Sequence, residues 1–570
     1  MDAALGNPVQ QRATHSRIAL VLGVPCIAIL AAQVFLIWRI NVNWDEFMFL
    51  TQVHQLLRGE LAQTFQVAFT HLFTWLPVVG DEMAQIITAR GIMFVLFAVS
   101  AVLVGKLASR WASPAGSLIA VLCFLSTSYV LRHGASFRSD SLLLPLLLGA
   151  LVLVTRPRPS RRSDVLAGVL FGLSFVVSIK TVLFLPVLAV FAIASTPSVG
   201  AGLALRLRGL VARWIVPALA AIVASGAILS WHALTLPAQS DLSASAFVTT
   251  VAGKTLLEIP WFARWPYFRV TLDADLASWI LIGIGALAAV VRRKWTVAAC
   301  ALALLPIAVY RNAFPYFYVV MLAPAAVLAA VAADEIRAYA GRRAGASKPD
   351  WLWLVIALPL ALQAFVHIER LATDKQWPQR KTVSAVHQIF PDPVPYLDHS
   401  GMIASFRKVN FFMSTWGMET YWARGTGFMR DVLREQRPPL LVANRGEIDP
   451  RSSSFSWLLA EDRALIEQFY LPYWGPIWVA GASVDVPPEG AVRMAVPFPG
   501  RYRIVTSQPV AIDGVTRVSG DVVEIREEDC TVAAPKDAVP GAAFPVVLFW
   551  AAARAPPHEP ADFYPVYVGL

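Results

Sequence analysis

Long apolar stretches recur along the first two thirds of the chain and stop near residue 367. A helix needs about 20 mostly apolar residues to cross a bilayer, and each stretch comes close to that length. The first stretch is too long for a cleaved signal peptide, and no small-residue cleavage site follows it. The pattern therefore predicts a polytopic α-helical membrane protein with about 11 transmembrane helices, at 17–39, 86–105, 114–131, 141–155, 164–180, 182–198, 214–235, 276–291, 295–310, 315–333 and 351–367.

The pattern changes beyond residue 367, where no further run could span a membrane. Helix-like and strand-like pieces come first, such as TGFMRDVLREQ and PPLLVAN, and they predict an α/β part. The later segments RYRIVTS, DVVEI and FPVVLFW alternate apolar with polar residues between turns, which is typical of a small β-sandwich. We therefore expect a tail at 1–16, a membrane domain at 17–367 and a soluble domain at 368–570, divided into an α/β part at 368–483 and a β-rich part at 484–570.

The composition agrees with a membrane protein. Of the 570 residues, 57% are hydrophobic and 15% are charged, and the mean hydropathy is +0.57. Ordinary soluble domains have about 25% charged residues, so a soluble enzyme, a disordered chain and a collagen-like repeat are all excluded. Four cysteines are too few for a disulfide framework, and their spacing does not fit a zinc site.

The net charge of +10, from 48 Lys and Arg against 38 Asp and Glu, is unevenly placed. Basic residues concentrate in every second segment between the predicted spans, as in RPRPSRR at 156–162 and VRRK at 291–294. Because positively charged loops face the cytoplasm, we expect the N-terminal tail to be cytoplasmic. An odd number of spans then places 368–570 on the periplasmic side of a bacterial inner membrane. The charge thus reports topology, and no nucleic-acid partner is expected.

Ionisable residues gather at the outer ends of the predicted spans. A charge at a membrane edge is costly, so each one is a candidate for function. Carboxylates can deprotonate an acceptor hydroxyl, and cations can hold a phosphate and stabilise it as a leaving group. Glycosyl transfer from a lipid phosphate needs both kinds of group. The candidates are Asp45, Glu46, His71, Asp81, Glu82, Arg132, His133, Arg138, Asp140, Lys180 and Arg311.

Four motifs resemble those of one family: WDEF in the first outer loop, THLFTWLP further along it, FRSD before the fourth span and FPYFYVVMLAP in a late span. Together they are similar to the GT-C glycosyltransferases, in the branch of the protein O-mannosyltransferases and the lipid A aminoarabinose transferase. The resemblance covers roughly residues 15–340. It departs from the family in the first outer loop, where HLF replaces the His-Pro-Pro or Lys-Pro-Pro run of many relatives.

The resemblance implies the GT-C fold, a polyprenyl-phosphate sugar donor and an acceptor on the outer face. It implies that Asp45 is the general base, that Glu46 orients the acceptor or a metal, and that Arg138 contacts the donor phosphate. A divalent cation fits the superfamily, but no ligand spacing requires one. Further phosphate ligands are expected by position alone: Lys180, Arg311 and Arg132. The candidates for an acceptor or metal site are Asp81, Glu82, His71, His133 and Asp140.

Structural roles are open for the same residues. Carboxylates stabilise helix N-termini, which would explain Asp81 and Glu82. Arginines can anchor span ends at the membrane interface, which would explain Arg132 and Arg138. The segment WFARWPYFR at 261–269 is typical of an interfacial aromatic belt, although it can also bed a lipid tail or a sugar.

Three other function classes are open. An O-antigen-ligase-type enzyme also combines many spans with outer arginines, but it needs no early Asp-Glu pair. A secondary transporter of an anionic or lipid-linked sugar could use the same charges, but its sequence would show two similar halves, and none is found. A structural membrane anchor would not carry this many charges at its span ends. The sequence therefore favours a membrane glycosyltransferase that moves a hexosyl or pentosyl group from a polyprenyl phosphate to a hydroxyl of a protein, lipid or glycan.

Overall fold

The computed structural model describes residues 8–63, 65–158, 160–194, 203–237, 261–344, 350–535, 543–557 and 562–567. The chain divides into two compact units. The helical unit comprises 1–40, 55–74 and 87–374, and the sheet unit comprises 41–54, 75–86 and 375–570. Two pieces of the first predicted outer loop, 41–54 and 75–86, therefore belong to the sheet unit. The sequence pattern gave no sign of this assignment.

Most of the helical unit consists of α-helices joined by short loops and 3-10 turns. Helices α2 and α3 begin in the sheet unit and continue into the helical unit. The described α-helices are α1 Pro8–Leu36, α2 Trp44–Leu57, α3 Glu82–Ala108, α4 Pro114–Ser126, α5 Ser128–His133, α6 Ser139–Val154, α7 Arg161–Val177, α8 Leu185–Ala194, α9 Leu203–Thr235, α10 Trp265–Ala274, α11 Leu276–Val291, α12 Trp295–Ala298, α13 Leu305–Val309, α14 Tyr318–Ala344, α15 Leu352–Leu371, α16 Trp377–Ile389, α17 Thr415–Arg424, α18 Met429–Glu435 and α19 Ala460–Phe469.

Helix α14 forms the centre of the helical unit. Of the most apolar 18-residue stretch in the segment that contains it, 94% is buried. Small residues allow the surrounding helices to approach closely. A Cβ added to Gly285 in α11 would lie 1.9 Å from the Leu328 carbonyl oxygen in α14, and one added to Gly168 in α7 would lie 2.1 Å from the Pro217 carbonyl oxygen in α9. Such small-residue contacts are characteristic of helix packing in membranes.

Fewer described helices are long enough to span a membrane than the sequence predicts. Four described helices are long and apolar enough to cross a membrane, or five if the pair α10 and α11, bent by 99°, counts as one span. Five of the other predicted spans fall on shorter apolar helices, and the sixth, 164–180, falls on α7. Local breaks shorten two of them: Thr127 is extended between α4 and α5, and a 3-10 turn separates α12 from α13. A multi-pass membrane protein is supported, and the predicted count of 11 is not confirmed.

The sheet unit contains two β-sheets. The strands are β1 Pro395–Leu397, β2 Arg407–Lys408, β3 Leu440–Val442, β4 Tyr470–Trp474, β5 Ile477–Val486, β6 Ala491–Ala495, β7 Gly500–Thr506, β8 Val510–Ile512, β9 Val515–Arg517, β10 Val522–Ile525, β11 Asp529–Ala533 and β12 Phe544–Trp550. The larger sheet has the order β10-β7-β12-β5-β3-β1-β2, with β4 also pairing with β5. The smaller sheet has the order β6-β11-β8-β9.

The two sheets share one core, to which both contribute buried side chains such as Ile504 of β7 and Val532 of β11. This packing agrees with the sandwich that the alternating pattern predicts. The α/β part, however, is not a separate layer. Strand β5 pairs with β3 on one side and with β12 on the other, so one sheet runs through both predicted parts. Strands β1, β2 and β3 are mutually parallel, and β1 lies between the other two.

Candidate active site

A cluster of charged side chains in the helical unit surrounds the start of α6. Arg138 is the extended residue that precedes the helix, and Asp140 lies in its first turn. Both are buried, at 3% and 2% exposure. The Asp140 Oδ1 atom lies 2.8 Å from Lys180 Nζ, and its Oδ2 atom lies 3.6 Å from Arg138 Nε. The structure thus brings together three residues that the sequence predicts to be functional. We call Arg138, Asp140 and Lys180 the cationic cluster.

Two aromatic rings form one wall of this cluster. The Arg138 guanidinium carbon lies 3.5 Å from the centre of the Tyr316 ring, and Lys180 Nζ lies 4.9 Å from it. Lys180 Nζ also lies 5.1 Å from the centre of the Phe317 ring. Cations over aromatic faces gain about 0.5–2 kcal/mol each, which helps to hold buried charges in place. The sequence analysis used the segment FPYFYVV only as a family motif and did not predict Tyr316 as a site residue.

Further arginines raise the positive potential beside the cluster. Burial lowers the pKa of His133 well below its usual value, and the charges of Arg132, Arg138 and Arg90 lower it further. His133 is therefore neutral at physiological pH, and its ring lies edge-on to Tyr316, with 6.4 Å between the ring centres. Arg90, which was not among the predicted site residues, donates hydrogen bonds to the Ile37 and Ile40 carbonyl oxygens. It lines one small pocket together with Arg132.

The structure places His71 and Arg311 against other partners. His71 Nε2 lies 3.0 Å from His232 Nδ1 in α9, and the His71 ring lies 4.3 Å from that of Trp231. The Arg311 carbonyl oxygen accepts a hydrogen bond from Arg264 Nε. Arg264 in turn stacks on Phe314, within the same aromatic segment as Tyr316. Arg264 belongs to the predicted aromatic belt.

In the sheet unit, Asp45 and Glu46 lie in the first turn of α2. Asn43 caps this helix: its Oδ1 accepts a hydrogen bond from the Asp45 N–H, and Glu46 Oε1 accepts one from the Asn43 N–H. This reciprocal pair is a capping box, which satisfies backbone donors at a helix start. It accounts for the burial of Glu46, at 1% exposure. Asp45 is half-buried and contributes only its backbone to these two bonds.

Asp81 and Glu82 occupy the start of α3. Asp81 is exposed, and its Oδ1 accepts a hydrogen bond from the Ala84 N–H, as an N-cap residue does. Glu82 is fully buried: Oε2 lies 2.9 Å from His387 Nε2, and Oε1 accepts bonds from the backbone and the hydroxyl of Ser405. The bond to Glu82 raises the pKa of His387. Within the described ranges, no three His, Cys, Asp or Glu side chains are grouped so that they could hold a metal ion by themselves.

Comparison with known proteins decides the fold. No protein-family model matches the sequence, and no curated protein matches it significantly. Among solved structures, the chain is similar to the GT-C glycosyltransferase ArnT from Cupriavidus metallidurans bound to undecaprenyl phosphate, with a TM-score of 0.52 and 13% identity over 74% of this chain and 92% of that chain. The chain has the GT-C fold.

Two other similarities are weaker. The oligosaccharyltransferase AglB from Archaeoglobus fulgidus matches with a TM-score of 0.49 and 11% identity, over 88% of this chain and 74% of that chain. The mycobacterial arabinofuranosyltransferase AftD matches with a TM-score of 0.45 and 14% identity, over 94% and 59%.

The GT-C fold confirms the resemblance on which the sequence analysis relied. The FRSD motif supplies Arg138 and Asp140, and FPYFYVV supplies Tyr316 beside them. This fold also contains an apolar groove between α6, α7, α8 and α9. The groove is lined by Ala150, Val154, Ala167, Gly168, Phe171, Leu185, Leu188, Ala189, Trp214, Pro217, Ala218, Ala221 and Ile222.

Proposed function

We propose that this protein is a membrane glycosyltransferase that moves a sugar from a polyprenyl-phosphate donor to a hydroxyl acceptor on the periplasmic face of a bacterial inner membrane. The observation that carries the proposal is the cationic cluster. The Asp140 carboxylate brings the Arg138 guanidinium and the Lys180 ammonium together in one buried site. A guanidinium and an ammonium in a buried site are well suited to hold a phosphate.

The same cations would act in the chemical step. As the glycosidic bond breaks, positive charge develops on the sugar ring, as in glycoside hydrolysis, and negative charge returns to the departing phosphate. Arg138 and Lys180 would stabilise that negative charge, which exists most fully in the transition state. Tyr316 would hold the guanidinium of Arg138 against its ring and keep it oriented. Arg132 and Arg311 are proposed as further phosphate ligands on their positions in the sequence.

The apolar groove provides a place for the lipid part of the donor. Arg138 directly precedes the first residue of α6, and the groove begins at Ala150 on the same helix. At 1.5 Å per residue, these points are about 17 Å apart along the helix axis. A polyprenyl chain is flexible and longer than this distance. The presence of undecaprenyl phosphate on ArnT supports a lipid phosphate as the donor carrier.

Asp45 is the proposed base that takes the proton from the acceptor hydroxyl. The proposal rests on its place in the WDEF motif and on its half-buried position in the first turn of α2. Glu46 is the less suitable of the two carboxylates, because its Oε1 atom already holds the capping box.

The test is transfer of a radiolabelled sugar from polyprenyl-phosphate donors by purified protein in liposomes. We expect the wild type to consume a donor, and Arg138→Gln, Lys180→Gln and Asp45→Asn each to lower the rate by about 10²–10³-fold. The matched control is Arg434→Gln. The Arg434 side chain is 70% exposed, and among the described residues it pairs with Asp431 and Glu435 of its own helix, α18. Full transfer by Asp45→Asn would show that another residue is the base. If the wild type neither binds nor consumes a donor, the proposed function is wrong.

A further inference from the structure

The sheet unit has a second group of polar residues, at the carboxyl ends of its parallel strands. Strand β1 lies between β2 and β3, so the chain leaves β1 toward one side and later returns on the other. In open α/β sheets such a reversal of strand order creates a crevice beyond the carboxyl ends of the strands, where ligands bind. The residues at this point are Asp398 and His399 after β1, and Asn444 and Arg445 after β3.

A fully satisfied network fixes this point of the sheet. The Asp398 carboxylate is completely buried and accepts hydrogen bonds from the Gly401 and Met402 N–H groups and from Asn444 Nδ2. Lys408 Nζ lies 3.2 Å from it. Side chains locked in this way hold the neighbouring loops in one geometry. His399 and Arg445, which follow directly in sequence, therefore occupy fixed positions.

Both of these residues contact Trp44, the first residue of α2. The Arg445 guanidinium carbon lies 4.3 Å from the centre of the Trp44 ring. The His399 ring centre lies 6.2 Å from it, and the Tyr567 ring centre 6.5 Å, both edge-on. We call Trp44, His399, Arg445 and Tyr567 the Trp44 site. Asp45 adjoins it in sequence, and its charge and that of Arg445 both act on the Tyr567 hydroxyl, with opposite effects on its pKa.

Two polar atoms of this site are buried and have no hydrogen-bond partner among the described residues: His399 Nδ1 and Arg445 Nη1. His399 is only 3% exposed, so solvent does not readily compensate for the missing bond. Burial, followed by the charges of Arg445 and Lys408, lowers the pKa of the ring well below its usual value. The ring is therefore neutral, and in the tautomer with the proton on Nε2 its Nδ1 offers a lone pair. An orphaned buried polar atom costs about 1–3 kcal/mol unless a ligand satisfies it.

The two atoms need opposite partners. The Nδ1 lone pair needs a donor, while the Arg445 Nη1 hydrogens need an acceptor. A hydroxyl group supplies both at once, whereas a carboxylate anion or a phosphate diester can only accept and would be repelled by the lone pair. The aromatic side chains of Trp44 and Tyr567 add edges and faces on which the C–H groups of a sugar ring can pack.

We propose that the Trp44 site binds a neutral carbohydrate through one of its hydroxyls, which donates to His399 Nδ1 and accepts from Arg445 Nη1. The proposal deepens the proposed function and rests on it in one respect, namely that this carbohydrate is the acceptor that Asp45 activates. The binding itself is independent of any donor. It assigns an acceptor-binding role to the sheet unit, in which Trp44 contacts residues more than 350 positions further along the chain.

The experiment measures saturation transfer by NMR from the full-length protein, in lipid nanodiscs without donor, to the methyl glycosides of glucose, galactose and mannose. We expect at least one glycoside to bind the wild type, and His399→Phe and Arg445→Gln each to weaken it by about tenfold, the effect of one lost hydrogen bond to a charged or buried group. Arg434→Gln, at an exposed position, is the matched control. Thiol labelling of the buried Cys530 checks that each variant keeps the sheet unit folded.

Three kinds of outcome overturn the proposal. Equal binding by wild type, His399→Phe and Arg445→Gln, or no glycoside binding at all, removes the site. Displacement of the glycoside by inorganic phosphate means that the site takes an anion. Preference for the peptide Gly-Ser-Gly, with the same dependence on His399, means that the ligand is a protein hydroxyl. A different result separates the two proposals. If the wild type binds a glycoside as expected but transfers no sugar, the proposed function is wrong and the proposed binding site is retained.

Discussion

Each unit of the molecule contains a buried lysine–aspartate pair, and the two pairs differ in what else they bind. In the sheet unit, Asp398 also accepts bonds from two backbone N–H groups and an asparagine, and Lys408 also donates to the Asp398 carbonyl oxygen and to Asn410. In the helical unit, Asp140 pairs with two cations, and these lie over aromatic rings. The first arrangement is closed by neutral groups. In the second, two cations and two aromatic rings surround one carboxylate.

A buried ion pair therefore indicates a structural or a functional role only when the other contacts of both side chains are considered. Pairs saturated by neutral hydrogen bonds specify a local structure. A carboxylate that faces two cations and aromatic rings in a buried site is a candidate for function, because buried charges are costly to keep. Removing the lysine from each pair distinguishes the two cases, since stability should respond in one and activity in the other.

The largest effect is expected for Lys408→Met in the sheet unit. Removing the cation leaves Asp398 buried without its charged partner, which costs about 3–5 kcal/mol. The sheet unit should unfold at a lower temperature, which the rate of thiol labelling at the buried Cys530 reports. The buried cysteines of the helical unit, Cys26, Cys123 and Cys300, serve as the internal reference. Wild-type labelling of Cys530 would mean that the pair is dispensable for structure.

Lys180→Met makes the equivalent change in the helical unit and should act on activity instead. Sugar transfer should fall by about 10²–10³-fold, as when one preorganised group that stabilises transition-state charge is lost. The unfolding temperature should change little, because Arg138 still pairs with Asp140. A loss of stability as large as that of Lys408→Met would contradict the distinction between the two pairs.

Tyr316→Leu sharpens the comparison within the helical unit. It keeps an apolar side chain but removes the ring beneath Arg138 and Lys180. Loss of the cation–π contact should weaken binding of undecaprenyl phosphate by about 0.5–2 kcal/mol, measured by titration of the lipid into purified protein. Phe at the same position should restore most of the affinity. If Leu and Phe behave alike, the ring contributes no more than its volume.

Asp81→Ala tests an acid that the structure places as a helix cap. Loss of the bond from the Ala84 N–H should cost about 0.5–2 kcal/mol of stability. Transfer activity should be unchanged when measured below the unfolding temperature. Asp81→Ser, which can still cap, should keep the stability. A loss of activity in both variants would return Asp81 to the acceptor site.

The smallest effect concerns pH and His387. Its pKa is raised in the folded protein, first by the hydrogen bond to Glu82. A raised folded pKa gives stability that is fully present below the ordinary value of 6.5 and is lost as the pH rises through the folded value. The difference in unfolding temperature between wild type and His387→Gln should therefore be larger at about pH 6 than at about pH 9. A difference that does not vary with pH would show that the bond carries no charge.

The two sites differ in how far the sequence could predict them. Arg138, Asp140 and Lys180 were found because charges at the ends of apolar runs are conspicuous, and a helix start holds the first two together. The aromatic wall was missed, since a tyrosine in an apolar segment has no such contrast. The capping box of Asn43 and Glu46 was present in the sequence as Asn-x-x-Glu and could have been recognised.

The Trp44 site could not be found from the sequence. Its residues come from the start of α2, from two strand ends near 400 and 445, and from the last residues described. Trp44 is noticeable only as part of the WDEF motif, and His399 and Arg445 lie in ordinary polar loops. The same applies to Glu82, whose partners His387 and Ser405 are more than 300 residues away. Short-range patterns contain no information about such pairings.

The depth of α14 has a consequence for how sequences of this kind can vary. Its apolar stretch is 94% buried among the described residues, whereas that of α9 is only 6% buried. Except on the face that packs on α7 near Pro217, the side chains of α9 can therefore change size without disturbing the described neighbours. Along α14, even one added methylene would overpack the core and destabilise it. Among homologues, the size of the side chains should therefore vary more along the exposed face of α9 than along α14, although the two helices have similar hydropathy.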